Sequence, residues 1–513
     1  MRPQTISLAL LKGGCLAKKE IRLQYSGFVN FATKMLSVAS GLIFQLMIVR
    51  ATTQSELDLW YNLNDVLAYF TLLAAALPFW TLRFVARDKE GAAKTGILAN
   101  LMMAVVATLI YIPLVPLITS LLQISQEHVF LYFMVSIQIV ELYSLNALQA
   151  CLKARAPQTI GYGLLIAEGC KVVLGYLLIV QFQQPLLGAL LSLTIAFIIQ
   201  MVYYFKLLAT ELRQQFKWQY LKEWLKGSVA NIYNVVGNQL ANFVFIMLFA
   251  YGGEGARGAM YGIERQVANV IVYSSFLAIA LYPKLIAEKK PEDITTSLKM
   301  VLMFAIPMTA GVIVLADSYI TIMKDVYREA SPVLIVLAIN AFVTTISTLF
   351  SSILYGVEEI DEKARISFRE LIKSRLFIAF SLPYIHSIIT LPVAFLVLTN
   401  YAQHQPLQAA IYVSIINTSA RLAMFFILYI IVRKMVAINI PWKSIGKYLF
   451  ASVVMAASLL VIPRPTRIYL TLIVTAVGGI IYLALLMAVD REARALVDAI
   501  WKEIRFRVEG KTT

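Results

Sequence analysis

Six ionisable residues lie inside long apolar runs of this sequence: Lys34, Glu141, Glu168, Lys171, His386 and Arg421. A charged side chain at the centre of a membrane helix costs about 2.5–3.5 kcal/mol on insertion scales. Such residues usually face a bundle interior or a watery cavity, so each is a candidate site by position. Lys34, Lys171 and Arg421 would give an anionic substrate its counter-charges, Arg as a bidentate fork and Lys as point charges. Glu141 and Glu168 would organise those cations or act as ion-coupling groups. His386 has the side chain that changes charge near neutral pH, although a lone His in a helix is more often a hydrogen-bonded structural residue.

Depth ties the six together. Counted from the cytoplasmic ends of their runs they lie about 8–11 residues in, or roughly 12–17 Å at 1.5 Å per residue. That is one layer near the midplane, where transporters built from two repeats hold substrate. A blander reading stands beside this one. Glu168 and Lys171, spaced i, i+3, can neutralise each other on one helix face, and Lys34 can pair with Glu141, leaving Arg421 alone. At the opposite face Asp65, Glu264 and Arg265 stand where two runs begin. They are candidates for an outer gate, and ordinary solvated helix ends explain them equally well.

The elements that must position these residues follow from composition. The chain has 513 residues, 60% hydrophobic and 14% charged, against about 25% charged in soluble domains. Repeated apolar runs of about twenty residues indicate a polytopic membrane protein, and backbone satisfaction in lipid makes it all-α. We expect about fourteen spans, near 25–49, 63–86, 95–122, 129–150, 160–181, 186–208, 228–250, 266–287, 297–316, 331–354, 376–398, 408–432, 446–462 and 467–489. With both termini cytoplasmic, about 35 Lys/Arg fall inside, about 7 outside and 3 within spans, the asymmetry of a multi-pass cell-membrane protein. The formal charge of +16 therefore belongs to short loops and implies no nucleic-acid partner.

Cys15, Cys151 and Cys170 show no metal or redox spacing. No phosphate-cradling P-loop motif appears, and no cleavable signal peptide is expected. We therefore expect no cofactor, no metal and no catalytic residue: the chain is not read as an enzyme.

The expected organisation is a cytoplasmic segment 1–24, an N-lobe of six spans over 25–208, and an amphipathic cytoplasmic linker 209–227. A C-lobe over 228–432, a last pair of spans over 433–489 and a cytoplasmic tail 490–513 follow. The lobes repeat at an offset near 200 residues: Gly27 and Asn30 match Gly227 and Asn231, Tyr61 matches Tyr261, and Pro78 with Arg83 matches Pro283 with Lys284. Each lobe has an even number of spans, so the repeats are parallel.

The stretch "SGFVNFATKMLSVASGLIFQLMIVRATTQSELDLWYNLNDVLAYFTLLAAALPFWTLRFVAR" resembles the opening of the Wzx-like polysaccharide-biosynthesis flippases. These form a branch of the multidrug/oligosaccharidyl-lipid/polysaccharide exporter superfamily. Arg50 closing the first span, the acidic and aromatic turn Glu56 to Tyr61, and Arg83 with Arg87 after the second span carry the likeness. The resemblance implies two six-helix lobes around a central cavity plus two C-terminal helices. The related lipid II flippase has two such helices beside a groove for the lipid tail.

The implied activity is translocation of a lipid-linked oligosaccharide, on a polyprenyl-diphosphate or dolichol-type carrier, from inner to outer leaflet by alternating access. Expected partners are that substrate, membrane lipid, and glycosyltransferases or a polymerase of the same pathway. Two alternatives stay open: a drug/cation antiporter of the same superfamily, which would want a net acidic cavity, and a non-transporting membrane partner of a polysaccharide synthase. A membrane glycosyltransferase would need an acidic pair beside a large polar loop, and the longest loops here are only about 20 residues.

Overall fold

The computed structural model describes residues 23–122, 124–278, 281, 285, 291–357, 375–491 and 493–495. The flanking segments 1–22 and 496–513, most of the loop 355–375, and the side chains of Lys34 and Asn231 lie outside the described residues, as do Pro283 and Lys284. Helix is the only regular structure among the described residues. In chain order the helices are α1 (Leu23–Ala51), α2 (Gln54–Phe70), α3 (Ala76–Ala86), α4 (Ala92–Leu121), α5 (Val129–Arg155) and α6 (Gln158–Gly175). Next come α7 (Pro185–Leu207), α8 (Trp218–Ala241), α9 (Phe243–Tyr251), α10 (Ile263–Val272), α11 (Pro291–Val314) and α12 (Ala316–Met323). The last five are α13 (Ser331–Val357), α14 (Arg375–Asn400), α15 (Pro406–Arg433), α16 (Trp442–Val461) and α17 (Ile468–Val489).

Among the described residues eleven helical stretches are long and apolar enough to cross a membrane, or twelve if the bent pair α2 and Leu72–Ala86 is one span. Of the remaining two expected spans, 25–49 falls within α1 and 266–287 runs partly through residues outside those described. The final pair is present, as α16 and α17.

The second span is bent by 56°, and Pro78, four residues after Ala74, has no amide to give the Ala74 carbonyl. A break in a membrane helix frees carbonyls that must find donors. Here the buried Asn100 of α4 donates to the carbonyls of Ala74, at 3.0 Å, and Tyr143, at 2.6 Å. The Tyr143 hydroxyl donates to the Phe70 carbonyl at 3.3 Å. The bend is thus held by side chains on α4 and α5.

The described chain forms two compact units. One consists of Leu63–Gln239 with 375–381, the other of 23–62, 240–357 and 382–495. The first unit is cored by large aromatics: the buried Tyr111 hydroxyl reaches the Tyr132 carbonyl at 2.6 Å. Tyr204 reaches the carbonyl of Ile160 at 3.0 Å and leaves no room for a Cβ at Gly163, which would sit 2.2 Å from its ring. The segment 209–217 is tied down: Arg155 pairs with Glu211 at 3.0 Å and also with Asp88, and the Gly91 amide donates to Gln214 at 2.6 Å. Trp224 of α8 is buried against Phe84 and Tyr220, so its indole packs on protein, while Trp218 is exposed.

In the second unit the C-terminal pair is integral. Tyr482 of α17 donates to the Met303 carbonyl of α11 at 2.6 Å, and Lys447 of α16 pairs with the buried Asp490 at 3.1 Å. Asn340 of α13 donates to Thr418 of α15 at 3.1 Å.

Candidate functional site

Local sequence explains how α2 begins. Thr53 and Glu56 form a capping box: the Thr53 amide donates to the Glu56 carboxylate at 2.8 Å, and the Glu56 amide donates to the Thr53 hydroxyl at 3.2 Å. The first turns of α2 then lie on the glycine-rich stretch "YGGEGARGAMYG", residues 251–262. Asp58 accepts the amides of Gly255 and Gly258, both at 2.9 Å. Gly255, with φ +87°, holds a backbone shape that side chains disfavour. A Cβ at Gly258 would stand 2.6 Å from the Asp58 carboxylate, and one at Gly262 would stand 2.7 Å from the Tyr61 ring. These glycines let the two segments touch.

Polar groups crowd behind this clasp. The Tyr61 hydroxyl accepts from Gln45 at 3.1 Å and donates to Gln266 at 3.3 Å. Arg257, only 3% exposed, lies over the Tyr61 ring at 5.2 Å and the Phe245 ring at 5.0 Å, and Arg265 lies over Phe245 at 4.4 Å. Glu264 is 0% exposed, and neither carboxylate oxygen has a hydrogen-bond partner. This departs from a solvated helix end.

In the same unit Arg421 of α15 is mostly buried, and its Nε has no hydrogen-bond partner. Its electrostatic neighbours are Arg265, Tyr261 and His386, and among the described residues no carboxylate pairs with it. His386 of α14 is 5% exposed with both ring nitrogens unbonded; Asn417 lies beside the ring without closing a hydrogen bond of good geometry. The structure thus gathers Arg265 and Arg421 into one positively charged cluster, with His386 beside Arg421.

The first unit holds the other candidates. Glu168 and Lys171 of α6 pair at 2.5 Å, i to i+3, with side chains 16% and 12% exposed. This pair matches the self-neutralising arrangement the spacing allows. Glu141 of α5 is 2% exposed, and neither of its oxygens has a partner. Asp65 is partly exposed and lies within electrostatic reach of Tyr69. Lys34 sits on α1, with its side chain outside the described residues.

The second unit also contains a chamber of about 430 Å³, largely apolar, bounded by α1, α10, α11, α12, α16 and α17. Gly41, Gly311 and Gly479 line it with open space where a Cβ would stand, and Gln45 and Gln266 mark a polar border. Among the described residues no group of three or more His, Cys, Asp or Glu could hold a metal.

Sequence reasoning missed Asp58, Arg257 and Asn417. The run of glycines at 252, 253, 255, 258 and 262 was the available signal for the clasp, since it marks a backbone approached closely by something else.

No protein-family model matches the chain, and no curated protein does. Solved structures do. A MATE protein in complex with MaL6 superposes with a TM-score of 0.59 at 15% identity, covering 84% of this chain and 99% of that one. An inward-facing multidrug resistance MATE family transporter of the MOP superfamily gives 0.58 at 14% identity, covering 80% and 98%. A MOP superfamily transporter from Pyrococcus furiosus Vc1, whose reversed pocket polarity suggests a different function for it, gives 0.57 at 15% identity, covering 85% and 99%. At these identities the likeness is one of fold: this chain is a polytopic helical membrane protein with the MATE architecture.

Proposed function

We propose that this chain flips an anionic lipid-linked oligosaccharide from the inner to the outer leaflet of the cell membrane, both termini being cytoplasmic. The observation that carries the reading is Arg421. A buried guanidinium without a carboxylate costs several kcal/mol unless something neutralises it, and its neighbour Arg265 adds positive charge. A diphosphate supplies the missing charge through bidentate hydrogen bonds. The 430 Å³ chamber in the same unit offers an apolar place for part of a prenyl chain. Alternating access then changes which leaflet the bound headgroup faces, with no bond made or broken. Glycosyltransferases or a polymerase would supply and consume the cargo.

A drug/cation antiporter is the second reading, and Glu141 favours it. A buried carboxylate without a partner is the group a cationic cargo or coupling ion would seek. Proteoliposomes holding the full chain separate the two. Transfer of a labelled polyprenyl-diphosphate sugar to the far leaflet, lost in Arg421→Ala, supports flipping. Efflux of a cationic dye, lost in Glu141→Gln and indifferent to Arg421, overturns it.

A further inference from the structure

We propose that Glu264 is a proton-binding site, loaded while the first turns of α2 are clasped on residues 252–262 and emptied when they separate. This does not depend on the cargo, because it concerns the clasp and not the Arg421 cluster.

The argument begins with burial. Glu264 is fully buried, and both of its oxygens lack partners. An ionised carboxylate in such a place forfeits its hydration and gains nothing in return, a cost of several kcal/mol. The neutral acid avoids that cost, and burial pushes the carboxyl well above the usual range.

The surroundings offer Glu264 no fixed counter-ion. From α2 it faces Tyr61, with Asp58 beyond, and from the loop Arg257, whose guanidinium is stacked over Tyr61 and Phe245. Arg265, next along its own helix, is turned over Phe245. The 324–330 segment brings Tyr327, within electrostatic reach, and Lys324, which lies over the Tyr327 ring. From α12 come Tyr319, hydrogen-bonded to Thr475, and Asp317, which pairs with Arg328 and Arg464. Helix α11 carries Glu292, Asp293 and Lys299 only in its first three turns, and α13 carries no ionisable group before Tyr355.

Two features couple this proton to movement. Glu264 lies within electrostatic reach of Tyr61, whose hydroxyl is held by Gln266 at the border of the chamber. Tyr61 lies three residues from Asp58, whose carboxylate holds the loop. Separating α2 from the loop removes the cover that keeps Glu264 dry, so water enters and the acid releases its proton. Clasping takes one proton up. The sign follows: the clasped carboxyl is the weaker acid, so falling pH favours the clasped form and rising pH opens it.

The test uses the full chain in nanodiscs, with Cys15, Cys151 and Cys170 changed to Ser. Spin labels are placed through Ser55→Cys and Glu254→Cys, both exposed positions. Pulsed electron paramagnetic resonance then gives the short- and long-distance populations against pH. The expected result is a long-to-short ratio that rises with pH by up to about tenfold per unit, the limit for one proton. In Glu264→Gln the ratio stays short and flat. Glu264→Asp, which keeps the acid one methylene shorter, retains the response with a moved midpoint and serves if the Gln variant does not fold. A wild-type ratio indifferent to pH overturns the proposal. So does a Gln variant that titrates like wild type, an Asp variant with an unmoved midpoint, or a ratio driven by sodium against choline at fixed pH.

Discussion

Two buried charge sites teach different lessons. On α6, Glu168 and Lys171 face each other at 2.5 Å as an ion pair. On α15, Arg421 lies among Arg265, Tyr261 and His386, with its Nε unbonded and no carboxylate paired to it among the described residues. Both sites come from ionisable residues deep in apolar runs. The difference lies in what each has already met. A self-neutralised pair supports a helix, whereas a cation with no carboxylate paired to it among the described residues is a candidate for an anionic ligand.

The sharpest way to break this contrast is to remove each site in turn. Arg421→Ala lowers transfer of the labelled polyprenyl-diphosphate sugar by roughly 10–100-fold, from the loss of hydrogen bonds to a charged group worth about 1.5–3 kcal/mol. Neutralising both members of the other pair, Glu168→Gln with Lys171→Met, leaves transfer within about twofold and changes stability by only about 1 kcal/mol. Lys171→Met alone strands Glu168 and costs about 3 kcal/mol, read as a lowered melting midpoint. A double variant as inactive as Arg421→Ala would erase the distinction.

A second contrast sets the open chamber against the packed helix interfaces. Gly311→Leu and Gly479→Leu put side chains into open space, so both variants fold with unchanged or slightly raised midpoints. Transfer of a long-chain substrate drops several-fold in each, and a substrate with a short chain is spared. Gly163→Leu meets the Tyr204 ring at once and yields little folded protein.

The bend in the second span affects stability alone. Asn100→Leu leaves the carbonyls of Ala74 and Tyr143 without their donor and costs about 2 kcal/mol. It moves the melting midpoint and leaves substrate affinity unchanged.

Much of the helical layout was legible. Spans such as 95–122, 160–181 and 408–432 announce themselves because lipid imposes one apolar length on every crossing. The i, i+3 spacing of Glu168 and Lys171 likewise makes their pairing readable from local geometry. The break at 71–75 has a local signal in Pro78, whereas the side chain that answers the freed Ala74 carbonyl, Asn100, was not readable because it stands on another helix. Asp58 was hidden for the same reason: its acceptor role depends on amides 197 and 200 residues away. Glu264 looked like a helix end in water, and only the packing of Tyr61 and its neighbours makes it dry. Charge position is local information, whereas charge partnership is tertiary.

Affinity for a polyprenyl diphosphate, measured on the full chain in nanodiscs, tests the central claim most directly. The account predicts that Arg421→Ala weakens binding at least about tenfold, a difference of about 1.4 kcal/mol, while the Glu168→Gln and Lys171→Met double variant binds like wild type. Equal affinities for wild type and Arg421→Ala would contradict it.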